Sequence, residues 1–305
     1  MTVRVLAIVG AGRSGSTMIG NILGSVDGVF CGGEIRYLWE RGLRDNRLCG
    51  CGQAFHDCPT WSAILLRAGC DPRSAGVDRL IAGAADGIRM RHVPRLLAEQ
   101  RWGWPPRLGP NGYRDQLQRL YHAIPAVTGC SLVVDTSKLP TYTHLVEELG
   151  GVDLFVAHLV RDPRATAYSW RRRKPLTDGA RSATMQRQSP GRSALLWNVW
   201  NVTARELWRD DPHHYRRVDY EEFVLRPREC IDDILRFAGH DGDAGSVFKD
   251  QQTVALEVNH TVAGNPDRLQ RGDVRLRLDD EWTRKMGRGD RLMVTALTAP
   301  VRARL

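Results

Sequence analysis

The first strongly patterned stretch is Val3–Val9, VRVLAIV, an aliphatic run interrupted by one arginine. Such a short apolar run, bounded by turn residues, predicts a buried strand. A Gly/Ser segment follows from Gly10 to Thr17, and then a helical pattern from Met18 to Ser25. Strand, loop and helix in this order predict the opening of an α/β sheet. The alternation continues along the chain. Val29–Cys31, Leu132–Asp135, Leu154–Val160 and Tyr215–Asp219 read as strands, and Tyr142–Leu149, Arg164–Arg173, Ser193–Trp208 and Pro227–Ala238 as helices. Strands separated by helices predict a parallel sheet with right-handed crossovers. Two stretches are less regular. Residues 71–125 carry helix-like pieces broken by Trp102-Gly-Trp-Pro-Pro106 and predict a helical insertion. Residues 174–192 are polar, basic and interrupted by Pro175 and Pro190, and predict a mobile loop. No internal repeat and no long linker is visible. The expected arrangement is one α/β domain over residues 1–305, a parallel sheet flanked by helices.

With 305 residues, 42% hydrophobic and 26% charged, the chain can bury a substantial core and is too apolar for disorder. The opening apolar run is too short for a signal-peptide core. No later run approaches the roughly 20 residues a membrane span needs. A cytoplasmic protein is therefore expected. Seven cysteines, an odd number, argue against a disulfide framework. The net charge is +9, and only four of the 44 basic residues are lysines. Arginine forks suit phosphate and sulfate, so the excess favours an anionic ligand. Nucleic acid is the obvious rival, but no Cys2His2 finger, basic zipper or RNA-recognition signature is present.

Gly10-Ala11-Gly12-Arg13-Ser14-Gly15-Ser16-Thr17 joins the first strand to the first helix. Gly10, Gly15 and Thr17 match the phosphate-loop spacing G-x-x-x-x-G-K-[ST]. Backbone N–H groups at a helix N-terminus favour an anion there. The lysine position holds Ser16, which cannot neutralise a β/γ-phosphate pair, and the positive charge sits at Arg13 instead. Ordinary nucleoside-triphosphate hydrolysis is disfavoured. A Gly-rich turn without a ligand is the plainer alternative.

This loop resembles the 5′-phosphosulfate loop of sulfotransferases that use 3′-phosphoadenosine-5′-phosphosulfate (PAPS). Leu159-Val160-Arg161-Asp162-Pro163 through Ser169 resembles that family's second element, a strand ending in arginine with a serine eight residues later on the next helix. Asp219-Tyr220-Glu221-Glu222-Phe223 resembles its Tyr-Glu-acidic element. His260 through Asn265 to Arg268, followed by Asp280-Glu281-Trp282, resembles the C-terminal loop of bacterial members. The resemblance spans nearly the whole chain and implies a single-domain, P-loop-like sulfotransferase fold. It implies sulfuryl transfer from PAPS to a hydroxyl or, second, an amine. The implied cofactor contacts are Gly12, Arg13, Ser14, Gly15, Ser16 and Thr17 for the phosphosulfate, and Arg161 and Ser169 for the 3′-phosphate. Tyr220 is expected to border the adenine, with Asn265 and Arg268 in a closing loop. No metal is required in that family. The expected partner is a small-molecule, carbohydrate or lipid-linked acceptor, with no nucleic acid.

Sulfuryl transfer benefits from a base for the acceptor and a cation for the leaving group. Glu34, in Gly32-Gly33-Glu34, resembles the base of the carbohydrate and tyrosyl-protein branch. The histidine of the small-molecule branch has no counterpart in Asp135-Thr136-Ser137-Lys138-Leu139-Pro140. Lys138 is the expected leaving-group cation, aided by Arg13 in the loop and by a hydrogen bond from Ser137. Arg36 is expected near the sulfuryl group or an acidic acceptor. Glu34 alternatively only opens a helix, in which case Asp135 is the next base. Cys49, Cys51 and Cys58 with His56 form a possible zinc set or a reduced structural turn. Trp197 and Trp200 are expected in a helix core. A phosphate-loop kinase using Asp135 for Mg2+, and a non-catalytic nucleotide- or RNA-binding protein, are the competing readings.

Overall fold

A computed structural model describes residues 2–70, 76–88, 90–102, 111–179 and 184–305. β1 (Val3–Val9) leads into α1 (Ser16–Leu23) and then β2 (Val29–Gly33). Four helices follow: α2 (Pro59–Arg67), α3 (Gly76–Gly87), α4 (Val93–Trp102) and α5 (Asn111–Thr128). The sheet resumes with β3 (Leu132–Lys138), α6 (Pro140–Glu147), β4 (Val152–Val160), α7 (Pro163–Arg171), α8 (Pro190–Trp208) and β5 (Tyr215–Asp219). The C-terminal part holds α9 (Tyr220–Leu225), α10 (Pro227–Phe237), the antiparallel pair β6 (Thr253–Leu256) and β7 (Gly272–Arg275), α11 (Trp282–Lys285) and α12 (Arg288–Arg302).

The five strands are parallel, in the order β2-β3-β1-β4-β5. Successive side chains of β1 feed opposite cores, as the pleat requires. Val5, Ala7 and Val9 pack with Trp61, Leu117 and Tyr121, while Leu6 and Ile8 pack with Ile19, Ile22, Ile231 and Leu235. The insertion therefore covers one face of the sheet, and α1 with α10 covers the other. In α5, the buried residues Leu117, Leu120, Tyr121 and Ile124 fall at i, i+3, i+4 and i+7, a single helical stripe.

The observed α1 begins at Ser16, two residues before the expected start, because Gly15 at φ 98° makes the turn into the helix. Asp162 caps α7 as read from sequence: its Oδ1 accepts from the Arg164 N–H at 2.7 Å, and Pro163 takes the first helical position. The insertion is helical, although most of the Trp102–Pro106 break lies outside the described residues. In the expected mobile loop, Pro175 forms a β-bridge with Thr184, and residues 180–183 lie outside the described residues. No helix among the described residues is long and apolar enough to cross a membrane.

His158 sits fully buried in β4. Its Nδ1 accepts from the Tyr215 hydroxyl at 2.7 Å, and its Nε2–H donates to Asn201 Oδ1 at 2.8 Å. Burial pushes its pKa down to about 4. The folded state thus keeps the ring neutral while the unfolded chain takes up a proton first as pH falls. Stability present above pH 6.5 is expected to decline between 6.5 and about 4, by about 3 kcal/mol in full. Urea titrations across this range should show the slope, and His158→Gln should lack this part of it.

Candidate active site

The C-terminal ends of all five strands open into one cleft of about 720 Å³. β1 ends in the phosphate loop and β2 in Glu34. β3 ends in Lys138, β4 in Arg161 and β5 in Tyr220. This is the sheet edge at which α/β proteins bind ligands. Among the described residues, eleven basic and three acidic side chains line the cleft.

The phosphate loop lies against two aromatic rings. A Cβ on Gly15 would sit 2.3 Å from the Tyr220 ring, and one on Gly12 would sit 2.7 Å from Trp170. Glycine is required at both points by close approach. Between them Arg13 adopts φ 69°, and its guanidinium lies 5.1 Å from the Trp170 ring centroid. The Nε and Nη2 of Arg13 are buried without a hydrogen-bond partner. Burial, and then Arg172, lower its pKa, while Asp267 and Glu34 oppose the shift. Gly12, Gly15, Ser16 and Thr17 line the cleft, whereas Ser14 is buried and does not.

Arg161 is 6% exposed and reaches the same loop. Its Nη1 donates to the Arg13 carbonyl at 3.0 Å, its Nη2 lies 3.4 Å from Asp279 Oδ2, and its Nε is buried without a partner. The guanidinium stacks 4.3 Å from the Tyr220 ring centroid. Asp279 also accepts from Arg172 at 2.5 Å. Ser169 lines the cleft beside Arg172, one helical turn beyond Ala165.

Glu34 and Lys138 meet across two strands. Lys138 Nζ donates to Glu34 Oε1 at 2.7 Å and to the Thr136 carbonyl at 3.0 Å. Two bulges make this possible: the β1–β3 register shifts between Ala7 and Val9, and the β2–β3 register between Cys31 and Gly33. Gly33 (φ 72°) and Lys138 (φ 66°) both adopt left-handed backbone there. Burial raises the Glu34 pKa, but Lys138, then Arg36 and Arg41, outweigh it, so the carboxyl lies below its ordinary value. The Arg36 and Arg41 guanidinium groups lie 3.9 and 3.8 Å from the Tyr37 ring centroid. The Ser137 hydroxyl accepts from the Arg36 N–H at 3.2 Å, so it braces the turn after Glu34. Asp135 does not reach the cleft. It is buried, accepting from the Tyr121 hydroxyl at 2.5 Å and from the Ser137 N–H at 2.7 Å.

Besides Ser14, three expected placements differ. Asn265 lines the cleft, but Arg268 does not: it is buried, donating to the Thr261 carbonyl at 2.8 Å and the Leu48 carbonyl at 2.6 Å. Trp197 is core, whereas Trp200 is half-buried, packing against the core on one side and lining the cleft on the other. His56 is not with the cysteines, since its ring bonds the Leu43 carbonyl at 2.8 Å. His260, distant in sequence, takes that place beside Cys49, Cys51 and Cys58. Sequence reasoning also missed Arg172, Trp170 and Asp279. The run Arg171-Arg172-Arg173-Lys174 directly after the Arg161–Ser169 element was the available signal for the first.

No protein-family profile and no curated protein sequence matches this chain. Solved structures do. The sulfotransferase domain of the olefin synthase from Synechococcus PCC 7002 aligns over 98% of this chain and 94% of its own, at TM-score 0.54 and 18% identity. A sulfotransferase domain from the curacin biosynthetic pathway aligns over 99% and 98%, at TM-score 0.52 and 14% identity. These alignments show a shared fold, and at identities this low they show the fold alone.

The Glu34–Lys138 pair has a measurable consequence. Lys138→Ala removes the largest attraction holding the Glu34 carboxyl ionised while leaving its burial in place, so its pKa should rise. The variant's folded state would then bind a proton more tightly than its unfolded state. Its stability deficit relative to wild type should widen as pH rises from 4 to 7, as followed by denaturant titration. A deficit independent of pH would show that the pair carries no such coupling.

Proposed function

We propose that this chain, which has the sulfotransferase fold, transfers the sulfuryl group of PAPS to a hydroxyl on a small-molecule, carbohydrate or lipid-linked acceptor. The observation that carries the reading is one cleft holding two separate cations with buried, unused donors, the half-buried Arg13 and the buried Arg161, together with an ionised Glu34 on Lys138. PAPS has two separate anionic ends, and these donors suit them. The Gly12–Thr17 loop holds the phosphosulfate, Arg161 and Ser169 the 3′-phosphate, and Tyr220 and Asn265 border the nucleoside. A 3′-phosphate competing for Arg161 and Arg172 displaces the Asp279 carboxylate that now bonds both.

When bound, PAPS supplies an electrophilic sulfuryl group on a phosphate leaving group. Glu34 receives the acceptor's hydroxyl proton. Protonation weakens its hold on Lys138, whose ammonium then faces the negative charge growing on the leaving oxygen. Arg13 supports the same charge from the loop, and Arg36 with Arg41 draws an anionic acceptor to the mouth. A Glu base in this position is what the resemblance to the carbohydrate and tyrosyl-protein branch implies. The kinase reading is weakened by Ser16 at the lysine position and by Asp135, the acid it needs, being buried on Tyr121.

Thermal shift tests the ligand class. 3′-Phosphoadenosine-5′-phosphate should stabilise the protein by several degrees, whereas ATP–Mg2+ and a short RNA should not; the reverse order would overturn the proposal. Glu34→Gln should keep the nucleotide-induced shift but lower kcat by about 10²- to 10⁴-fold. In wild type the acidic limb of the pH–rate profile should fall below the ordinary carboxylate range, and in Glu34→Gln it should vanish. Acceptors of high hydroxyl pKa should suffer most.

A further inference from the structure

We propose that Cys49, Cys51, Cys58 and His260 bind a structural zinc ion that fastens the 260–265 loop to the cleft. Their ligand atoms all lie within 4.8 Å of one another. Cys58 Sγ is 3.3 Å and Cys49 Sγ 3.8 Å from His260 Nδ1. A tetrahedral zinc with Zn–S of about 2.3 Å and Zn–N of about 2.0–2.1 Å puts its ligand atoms roughly 3.5–3.8 Å apart. The four atoms are therefore already near the positions of such a shell.

Local structure explains the arrangement. The Gly52 N–H donates to the Cys49 carbonyl at 2.8 Å, closing a tight turn that aims both thiols of Cys49-Gly-Cys51 the same way. Cys58 sits just before Pro59 at the start of α2. His260 is held by its surroundings: its carbonyl accepts from Trp61 Nε1 at 2.6 Å, and its Nε2 lies 3.2 Å from Thr60 Oγ1. With Nε2–H donating to Thr60, Nδ1 carries a lone pair directed at the sulfurs. This second contact is the outer-shell bond that orients a metal-ligating histidine. Phe30, Phe55 and Trp61 pack around the group, and Cys49 and Cys58 are fully buried. Three soft thiolates and one imidazole, two of the four fully buried and Cys51 and His260 half-buried, suit zinc rather than magnesium or calcium. Such a site carries a net charge of −1, and two arginines bond the adjoining backbone: Arg268 at the Leu48 carbonyl and Arg271 at the Gly50 carbonyl.

The ion would link two segments about 200 residues apart in the chain. The segment after His260 runs beside the end of β2. The Gly50 N–H donates to the Thr261 carbonyl at 2.9 Å, the Val262 N–H to the Gly32 carbonyl at 2.9 Å, and the Glu34 N–H to the Ala263 carbonyl at 3.3 Å. The metal thereby holds the backbone around Glu34 and the loop bearing Asn265, without touching any reacting group.

Metal analysis of the full chain purified without chelator should find one zinc per molecule. Protein refolded with Co2+ should show thiolate-to-cobalt charge transfer and the ligand-field bands of a tetrahedral site. His260→Ala and Cys58→Ser should lose the zinc, whereas His56→Ala should keep it. Stripping zinc from the wild type should lower Tm by roughly 5–10 °C, restored by zinc. Metal-free native protein, an octahedral cobalt spectrum, or full zinc occupancy in His260→Ala would overturn the proposal. So would the loss of two hydrogens in the unreduced mass, which would mark a Cys49–Cys58 disulfide.

Discussion

Among the described residues the cleft gathers eleven basic side chains at one sheet edge, and their mutual repulsion is held in check by three carboxylates. Glu34 takes Lys138 at 2.7 Å, Asp267 takes Lys174 at 2.6 Å, and Asp279 takes Arg161 and Arg172. Like charges in a partly desolvated cavity repel much more strongly than in water. Each carboxylate thus sits where the positive potential is concentrated. The same positive field that makes the site suited to sulfate and phosphate makes these internal pairs necessary. Two of the three acids, Asp267 and Asp279, lie in the C-terminal part of the chain, which ties the cationic sheet edge to the segments that wall the cleft.

Geometry at the sheet edge depends on local departures from regular strand. A straight parallel ladder would leave Glu34 and Lys138 on separate strands with side chains set by the pleat. The bulges at Gly33 and before Lys138 re-aim both residues and bring carboxylate and ammonium together. Lys138 adopts left-handed backbone to do so, a conformation that costs free energy for a residue with a side chain and that concentrates at functional sites. The Gly10 N–H bonds the Lys138 carbonyl at 3.2 Å, which links this strained residue to the start of the phosphate loop. The anion loop and the acid–cation pair are parts of one hydrogen-bonded unit.

Behind that edge, buried polar groups are matched in detail. Asp135 is paid off by Tyr121 and the Ser137 N–H, and His158 by Tyr215 and Asn201. These contacts span strands and flanking helices, so they hold sheet and helices in register as well as satisfying their own hydrogen bonds. The insertion helices contribute Tyr121 from α5, which makes them part of the support for β3 rather than an appendage.

Strand–loop–helix order, the glycine-rich turn between β1 and α1, the strand-to-helix step from Arg161 to Ser169 and the parallel sheet were legible in the chain, because each rests on local periodicity, turn chemistry or short spacing. Glu34 and Lys138 were also legible as strand-end residues, since a parallel sheet delivers every strand's C-terminal end to one side. Their direct pairing was not, because bulges depend on how two strands register. Arg268 and Trp200 traded places relative to the cleft for a similar reason: which side of a loop or helix faces a cavity is decided by what packs against it. His260 displaced His56 because spatial neighbours set a ligand shell, and sequence proximity does not. Local patterns along the chain determined the elements and the basic character of the strand ends; only the packing of distant segments decided which side chains share the cleft.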